Sequence, residues 1–363
     1  MPVATSHPDR RDTLRAREPG TPPRPLVVLA SIVLAAGTGT AIWLLPSGAT
    51  GEWAPRGDRP GAAATPSGTR SPDTPGTRPG RGGEPVVPRP SGFVTFVDTA
   101  RDPRFNLSRA VRRDHVRWFT LGHLTAGRQS CVPVWDGFRE RGGDPVADRL
   151  GRLRAAGGNA GLAFGGPSGR ELASACTDPD RLAAAYRRAI TAFGAAYVDF
   201  EIHGPAASSE PGAVRRRARA IAVLQREAVR GDRPLTVSFT VPVTGAGLSR
   251  DDQEMLRVTR AEGVEIATVN LLAPVGAPAA GARLRPVASA VRAAHPQVAR
   301  SLGRSTAWSR IALTPVLTGS GGLTRLDARR LAAFTSRNRL AWLSTRGVAL
   351  TPEVTRLLTG ATR

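Results

Sequence analysis

From Phe93 onward the sequence repeats one unit: a short apolar run, a loop, then a helical stretch. The runs are Phe93–Asp98, Val116–Leu121, Ala160–Phe164, Tyr197–Ile202, Leu235–Val241, Glu265–Leu272, Arg310–Leu317 and Arg339–Ser344. Strands alternating with helices in this way, eight times over about 250 residues, predict a (β/α)8 barrel. The runner-up, a doubly wound open sheet, calls for a glycine-rich phosphate loop after the first strand, and Asp98-Thr99-Ala100-Arg101 has no glycine. The helices carry their own punctuation. Asp178-Pro179 reads as an N-cap followed by a first-turn proline, opening a helix over residues 180–193 with Leu182, Tyr186, Ile190 and Phe193 at helical spacing. Ser249 with Asp252 and Thr324 with Asp327 read as acidic capping boxes, while Gly157, Gly231 and Gly263 read as helix stops.

Within this frame the fourth run carries chemistry. In Val198-Asp199-Phe200-Glu201-Ile202-His203, an extended backbone puts Asp199, Glu201 and His203 on one face and the apolar residues on the other. Asp and Glu are poor strand formers, so three ionisable groups in line ask for a reason beyond folding. A solvent-facing edge strand would show the same alternation. In a barrel, however, functional residues gather at the C-terminal ends of strands, where Glu201 and His203 fall.

Phe164-Gly165-Gly166 after the third run, Val198 to Gly204 at the fourth, Val269-Asn270 on the sixth and Trp342 on the eighth together resemble glycoside hydrolase family 18, the bacterial chitinases. The resemblance spans residues 92–346. It implies the signature Asp-x-x-Asp-x-Asp-x-Glu along strand four, whose final Glu protonates the glycosidic oxygen. The preceding Asp orients the substrate's N-acetyl group, which acts as internal nucleophile. Here the signature positions read Ala196, Asp199, Glu201 and His203. The family's Asp-Tyr pair after strand six is replaced by Asn270-Leu271-Leu272-Ala273-Pro274-Val275. An imidazole can donate a proton, but from a different place, and a shift near 1 Å can cost about 100-fold. By the same resemblance Trp342, Phe164 and Asn270 are substrate-binding residues, and Trp135 belongs to a loop on the functional face. Indole faces stack on sugar rings, so a binding groove can outlast its chemistry; the plain alternative for Trp342 is the core of the last strand.

The rest of the chain bears on where such a barrel works. Residues 26–45 are uncharged and apolar enough to cross a bilayer as one helix. Arg10, Arg11, Arg15, Arg17 and Arg24 precede them, which by the positive-inside rule keeps residues 1–25 in the cytoplasm. Ser47-Gly48-Ala49 leaves a cleaved signal peptide, and hence a secreted protein, as the alternative to a membrane anchor. Residues 46–91, rich in Pro, Gly, Thr, Ser and Arg, read as a disordered linker, and residues 347–363 as a C-terminal tail. The net charge of +22 comes entirely from arginine, scattered and without a nucleic-acid motif, so it points to anionic envelope polymers rather than nucleic acid. Cys131 and Cys176 are the only cysteines. In an exported domain they read as one disulfide, a pairing some secreted chitinases of this kind also have, or else as two buried thiols; two are too few for a closed structural metal site. No cofactor is expected, and a monomer is.

Three functions are open at this point. One is a tethered chitinase-like protein that binds N-acetylglucosamine-containing envelope glycan with hydrolysis lost or impaired. Another is a working glycosidase using Glu201 or His203 as acid. The last is a structural envelope protein with no ligand.

Overall fold

The computed structural model describes residues 89–135, 145–203, 210–276, 282–303, 305, 308–318 and 321–360. The segments read from sequence as a basic tail, a membrane span and, up to residue 88, a linker lie outside them. Among the described residues no helix is long and apolar enough to cross a membrane.

Eight parallel strands close into a barrel. They are β1 (Gly92–Asp98), β2 (Trp118–Ala126), β4 (Asn159–Gly165), β5 (Tyr197–Glu201), β6 (Thr236–Pro242), β7 (Ile266–Pro274), β8 (Ile311–Val316) and β9 (Trp342–Leu343). Each pairs with the next, and β1 pairs with both β2 and β9, which closes the ring. A short strand the sequence did not announce, β3 (Pro133–Trp135), folds back antiparallel on the end of β2. Around the barrel run α1 (Leu107–Asp114), α2 (Pro145–Ala155), α3 (Leu172–Ala175), α4 (Pro179–Phe193), α5 (Pro211–Arg230), α6 (Arg250–Ala261), α7 (Arg285–Ser301), α8 (Arg325–Asn338) and α9 (Pro352–Thr359). The last lies in the stretch read as a tail. Its Val354 and Leu358 are buried and it packs on α8, so the folded unit extends beyond residue 346.

The helix signals fall where the side chains demand them. Asp178 accepts from the backbone amides of Asp180 and Arg181, and α4 ends on Gly194 in a left-handed turn at φ 55°. Ser249 caps α6, and Thr324 and Asp327 form a reciprocal box at the head of α8. At the end of α5 the left-handed turn is taken by Asp232, not by Gly231.

Inside the barrel the side chains stack in layers. Val94, Trp118, Tyr197, Ala312 and Trp342 pack together from the starts of their strands. Outside, Phe164, Phe200 and Phe239 stack in sequence at 5.5 Å across β4, β5 and β6, with Tyr186 of α4 edge-on to Phe164 and Phe200. Strand β4 faces inward with its small residues. A Cβ on Gly161 would meet Tyr197 at 2.2 Å, and one on Gly165 would meet the Glu201 carbonyl at 2.3 Å. The missing side chain at Gly161 is what leaves room for the Tyr197 ring, and Gly165 lets the two strand backbones approach.

Candidate active site

Strand β5 aims Tyr197, Asp199 and Glu201 into the barrel at successive heights, since side chains on a strand alternate. Asp199, only 2% exposed, accepts hydrogen bonds from Ser238 Oγ and, at 2.7 Å, from Thr240 Oγ1. Ser238 Oγ lies 2.5 Å from Tyr197 Oη. Asn270 Nδ2 donates to Thr240 Oγ1 at 3.0 Å and Asn270 Oδ1 accepts from Thr314 Oγ1 at 2.9 Å. The result is one hydrogen-bonded chain running through β5, β6, β7 and β8. Burial pushes the Asp199 carboxyl up to about 6, against the hydroxyls of Ser238 and Thr240, which favour its ionised form.

Glu201, one layer higher, sits differently. Its Oε2 accepts from Arg346 Nη2 at 2.5 Å, and its Oε1 lies 2.9 Å from His203 Nε2. His123 Nε2 approaches Oε2 to 3.0 Å, an ion-pair distance without hydrogen-bond alignment. Burial works against the charge on Glu201. The Arg346 guanidinium, with His123 and His203 beside it, outweighs burial and holds the carboxyl well below the usual carboxylate range. Arg346, whose side chain is 15% exposed, lies over the Phe96 ring with Cζ 2.9 Å from its centroid. Its pKa is lowered by burial, against the carboxylates of Glu201, Asp199 and Asp98.

The structure therefore unites Asp199, Glu201, His203 and Asn270, and separates the aromatic residues from them. Phe164 points outward to the helices, because the inward positions of β4 are reserved for Gly161, Ala163 and Gly165. Trp342, 4% exposed, packs at the level of the strand starts with Trp118 and Tyr197, at the opposite end of the barrel from Glu201. Trp135 lies on β3, edge-on to Phe193 of α4 at 5.4 Å. A stacking role at Phe164 or Trp342 does not fit these placements; Trp342 fills the barrel interior. Cys131 and Cys176 are disulfide-bonded, tying the turn before β3 to the segment between α3 and α4.

Sequence reasoning missed His123, Arg346, Phe96, Ser238, Thr240 and Thr314. Counting by twos from Trp342 through Ser344 reaches Arg346, which was the available signal for that residue. His123 carried no such signal. A register shift between Leu121 and Leu124 lets β2 run on past its predicted end, and bulges of this kind re-aim side chains beside active sites.

A cavity of 610 Å³ opens beside Glu201 and His203, walled by Arg170, Glu171, Glu210 and Arg216. Glu201 and His203 both line it, the His203 side chain 28% exposed, while Asp199 lies sealed below. Among the described residues no group of three or more His, Cys, Asp or Glu could hold a metal ion.

No family model matches the chain. It is 25% identical over 181 residues to the probable bifunctional chitinase/lysozyme of Escherichia coli K12, covering 50% of this chain and 20% of that protein. It is 27% identical over 182 residues to endochitinase 11 of Metarhizium anisopliae, covering 34% of that protein. The chain thus spans a fifth to a third of the length of the curated relatives it matches. Among solved structures, the catalytic domain of a hyperthermophilic chitinase from Pyrococcus furiosus matches at TM-score 0.63 and 20% identity, over 76% of this chain and 96% of that one. A GH18 chitinase from Pseudoalteromonas aurantia matches at TM-score 0.54 and 13% identity, over 75% of this chain and 100% of that one. Sequence relatives and structural neighbours together support a chitinase-like family of the glycoside hydrolase family 18 kind for this chain.

Proposed function

We propose that this protein is an exported, membrane-tethered, chitinase-like glycan-binding protein in which hydrolysis is lost or impaired. The observation that carries the reading is the state of Glu201. A general acid must hold a proton at working pH and reach the leaving oxygen. Glu201 instead is a buried carboxylate neutralised by Arg346 and flanked by two histidines. Asp199 is tied to two hydroxyls one layer down, so it is not free to orient an acetamido group. The named activities of the sequence relatives make an N-acetylglucosamine-containing envelope glycan the ligand we propose, and the cavity beside His203 has the volume for part of one. The disulfide fits an oxidising compartment, and the tether is assigned to residues 26–45 from the sequence.

One observation favours a second reading. The carboxylate of Glu201 orients the partly exposed imidazole of His203, an arrangement in which His203 could serve as acid on an altered substrate. Calorimetry and a hydrolysis assay of the purified full-length chain with the N-acetylglucosamine tetramer separate the two. Weak binding without turnover is expected, and Trp342→Ala should lower stability rather than abolish binding. Turnover that disappears in His203→Ala would replace the proposal with the second reading.

A further inference from the structure

Three carboxylates and two guanidiniums line the cavity, but two of the carboxylates are paired with arginines outside the lining, and that pairing leaves one wall cation over. Glu201 is paired with Arg346. Glu171, 7% exposed at its side chain, lies 3.4 Å from the buried Arg217, and Glu210 lies 3.5 Å from Arg216. Arg216 also donates to the carbonyl of Ala173 through Nη2 at 2.9 Å. Each carboxylate on the wall therefore has its cation. Arg170 lines the same cavity, and among the described residues its guanidinium has no opposite charge.

Its backbone, by contrast, is firmly held. The Arg170 carbonyl accepts from the amide of Ala126 at 2.9 Å, bridging it to the end of β2. Gly169 before it takes φ +76° over Thr125, where a Cβ would meet Thr125 Oγ1 at 2.9 Å. The Cys131–Cys176 disulfide fastens the neighbouring wall, on which Thr177 also faces the cavity. An exposed guanidinium on a fixed backbone, unpaired among the described residues and lining the same cavity as His203, is a place where an anion can be held.

Resting on the glycan-binding reading above, we propose that the ligand is an N-acetylated glycan bearing a carboxylate substituent, held by Arg170 with His203 on the same wall. The charged group, rather than stacking on an indole, supplies selectivity. This accords with an excess of arginine over acid in a chain proposed to face anionic polymers.

The test uses full-length protein in mild detergent and three probes. They are the disaccharide of N-acetylglucosamine and N-acetylmuramic acid, its methyl ester, and the N-acetylglucosamine disaccharide. Calorimetry should show the free acid binding about tenfold more tightly than either neutral probe, an advantage that shrinks as salt is raised. Arg170→Gln should bring the free acid to the affinity of its methyl ester, and Arg170→Lys should keep part of the difference. Equal binding of acid and ester by the unmodified protein would overturn the carboxylate proposal and leave glycan binding standing. Failure of all three probes to bind would overturn both.

Discussion

Glu201 and Asp199 are two residues apart on one strand and respond to pH in opposite ways. Asp199 carries a folded-state pKa raised from 3.8 to about 6. Between those values the folded protein keeps a proton that the unfolded chain has released, so Asp199 makes stability fall as pH rises through that window and leaves it lower above. Asp199→Asn should flatten the slope between about pH 4 and pH 6 and stabilise the protein at neutral pH, by up to about 3 kcal/mol for a shift of roughly two units. Urea unfolding at a series of pH values reads this directly; an unchanged slope would mean that Asp199 ionises normally. Glu201 works the other way. Its folded pKa is depressed from the ordinary 4.5, so its contribution is present above that value and is lost as pH falls through the lower folded one. Removing its charge strands Arg346 in the barrel mouth, and Glu201→Gln should cost about 3 to 5 kcal/mol. Adding Arg346→Met should recover most of that loss, because no cation is then left without an anion. A double variant no more stable than Glu201→Gln alone would show that the pair acts through shape and not charge.

At the level of elements, the disulfide is the clearest single strut. It joins residues 45 apart in sequence, and chain-entropy reasoning gives its loop closure about 4 kcal/mol. Cys131→Ser/Cys176→Ser should therefore lower the denaturation midpoint without changing the barrel's circular dichroism; a midpoint that does not move would mean the hairpin and the α3–α4 segment are held by packing alone. How much of these elements could be read in the sequence follows from the range of the interactions that make them. Caps at Asp178, Ser249 and Thr324 were legible because the donor and acceptor lie within three residues of each other. The eight barrel strands were legible as apolar runs, but their ends were not. The last run shrinks to Trp342–Leu343, and the second extends to Ala126, because ladder partners on other strands decide where pairing stops. Phe164, a substrate-binding residue by the resemblance, faces the helices, and its own strand carries the reason: Gly161, Ala163 and Gly165 alternate with Leu162 and Phe164, and a Cβ on Gly161 would already strike the Tyr197 ring inside the barrel. Arg346 meets Glu201 across 145 residues, a pairing that no local pattern encodes.

At the scale of the molecule, the barrel gives the site a direction. Parallel strands put Asp98, Glu201 and Arg346 at one end and the starts of β1, β5 and β9 at the other. The chain enters β1 at Gly92, at the end of the barrel away from Glu201. Brief protease treatment of intact cells tests the proposed export and tether of the barrel. The expected outcome is release of a soluble fragment that begins between residues 46 and 91, contains the whole barrel and keeps the Cys131–Cys176 bond, while an N-terminal epitope stays with the cells. The cut is expected in the Pro/Gly-rich stretch that the sequence reads as a linker, whereas the closed barrel sheet has no long free edge to offer. Soluble protein beginning near Thr50 in untreated culture would instead establish a cleaved signal, and protection of the entire chain until the cells are broken would place the barrel inside.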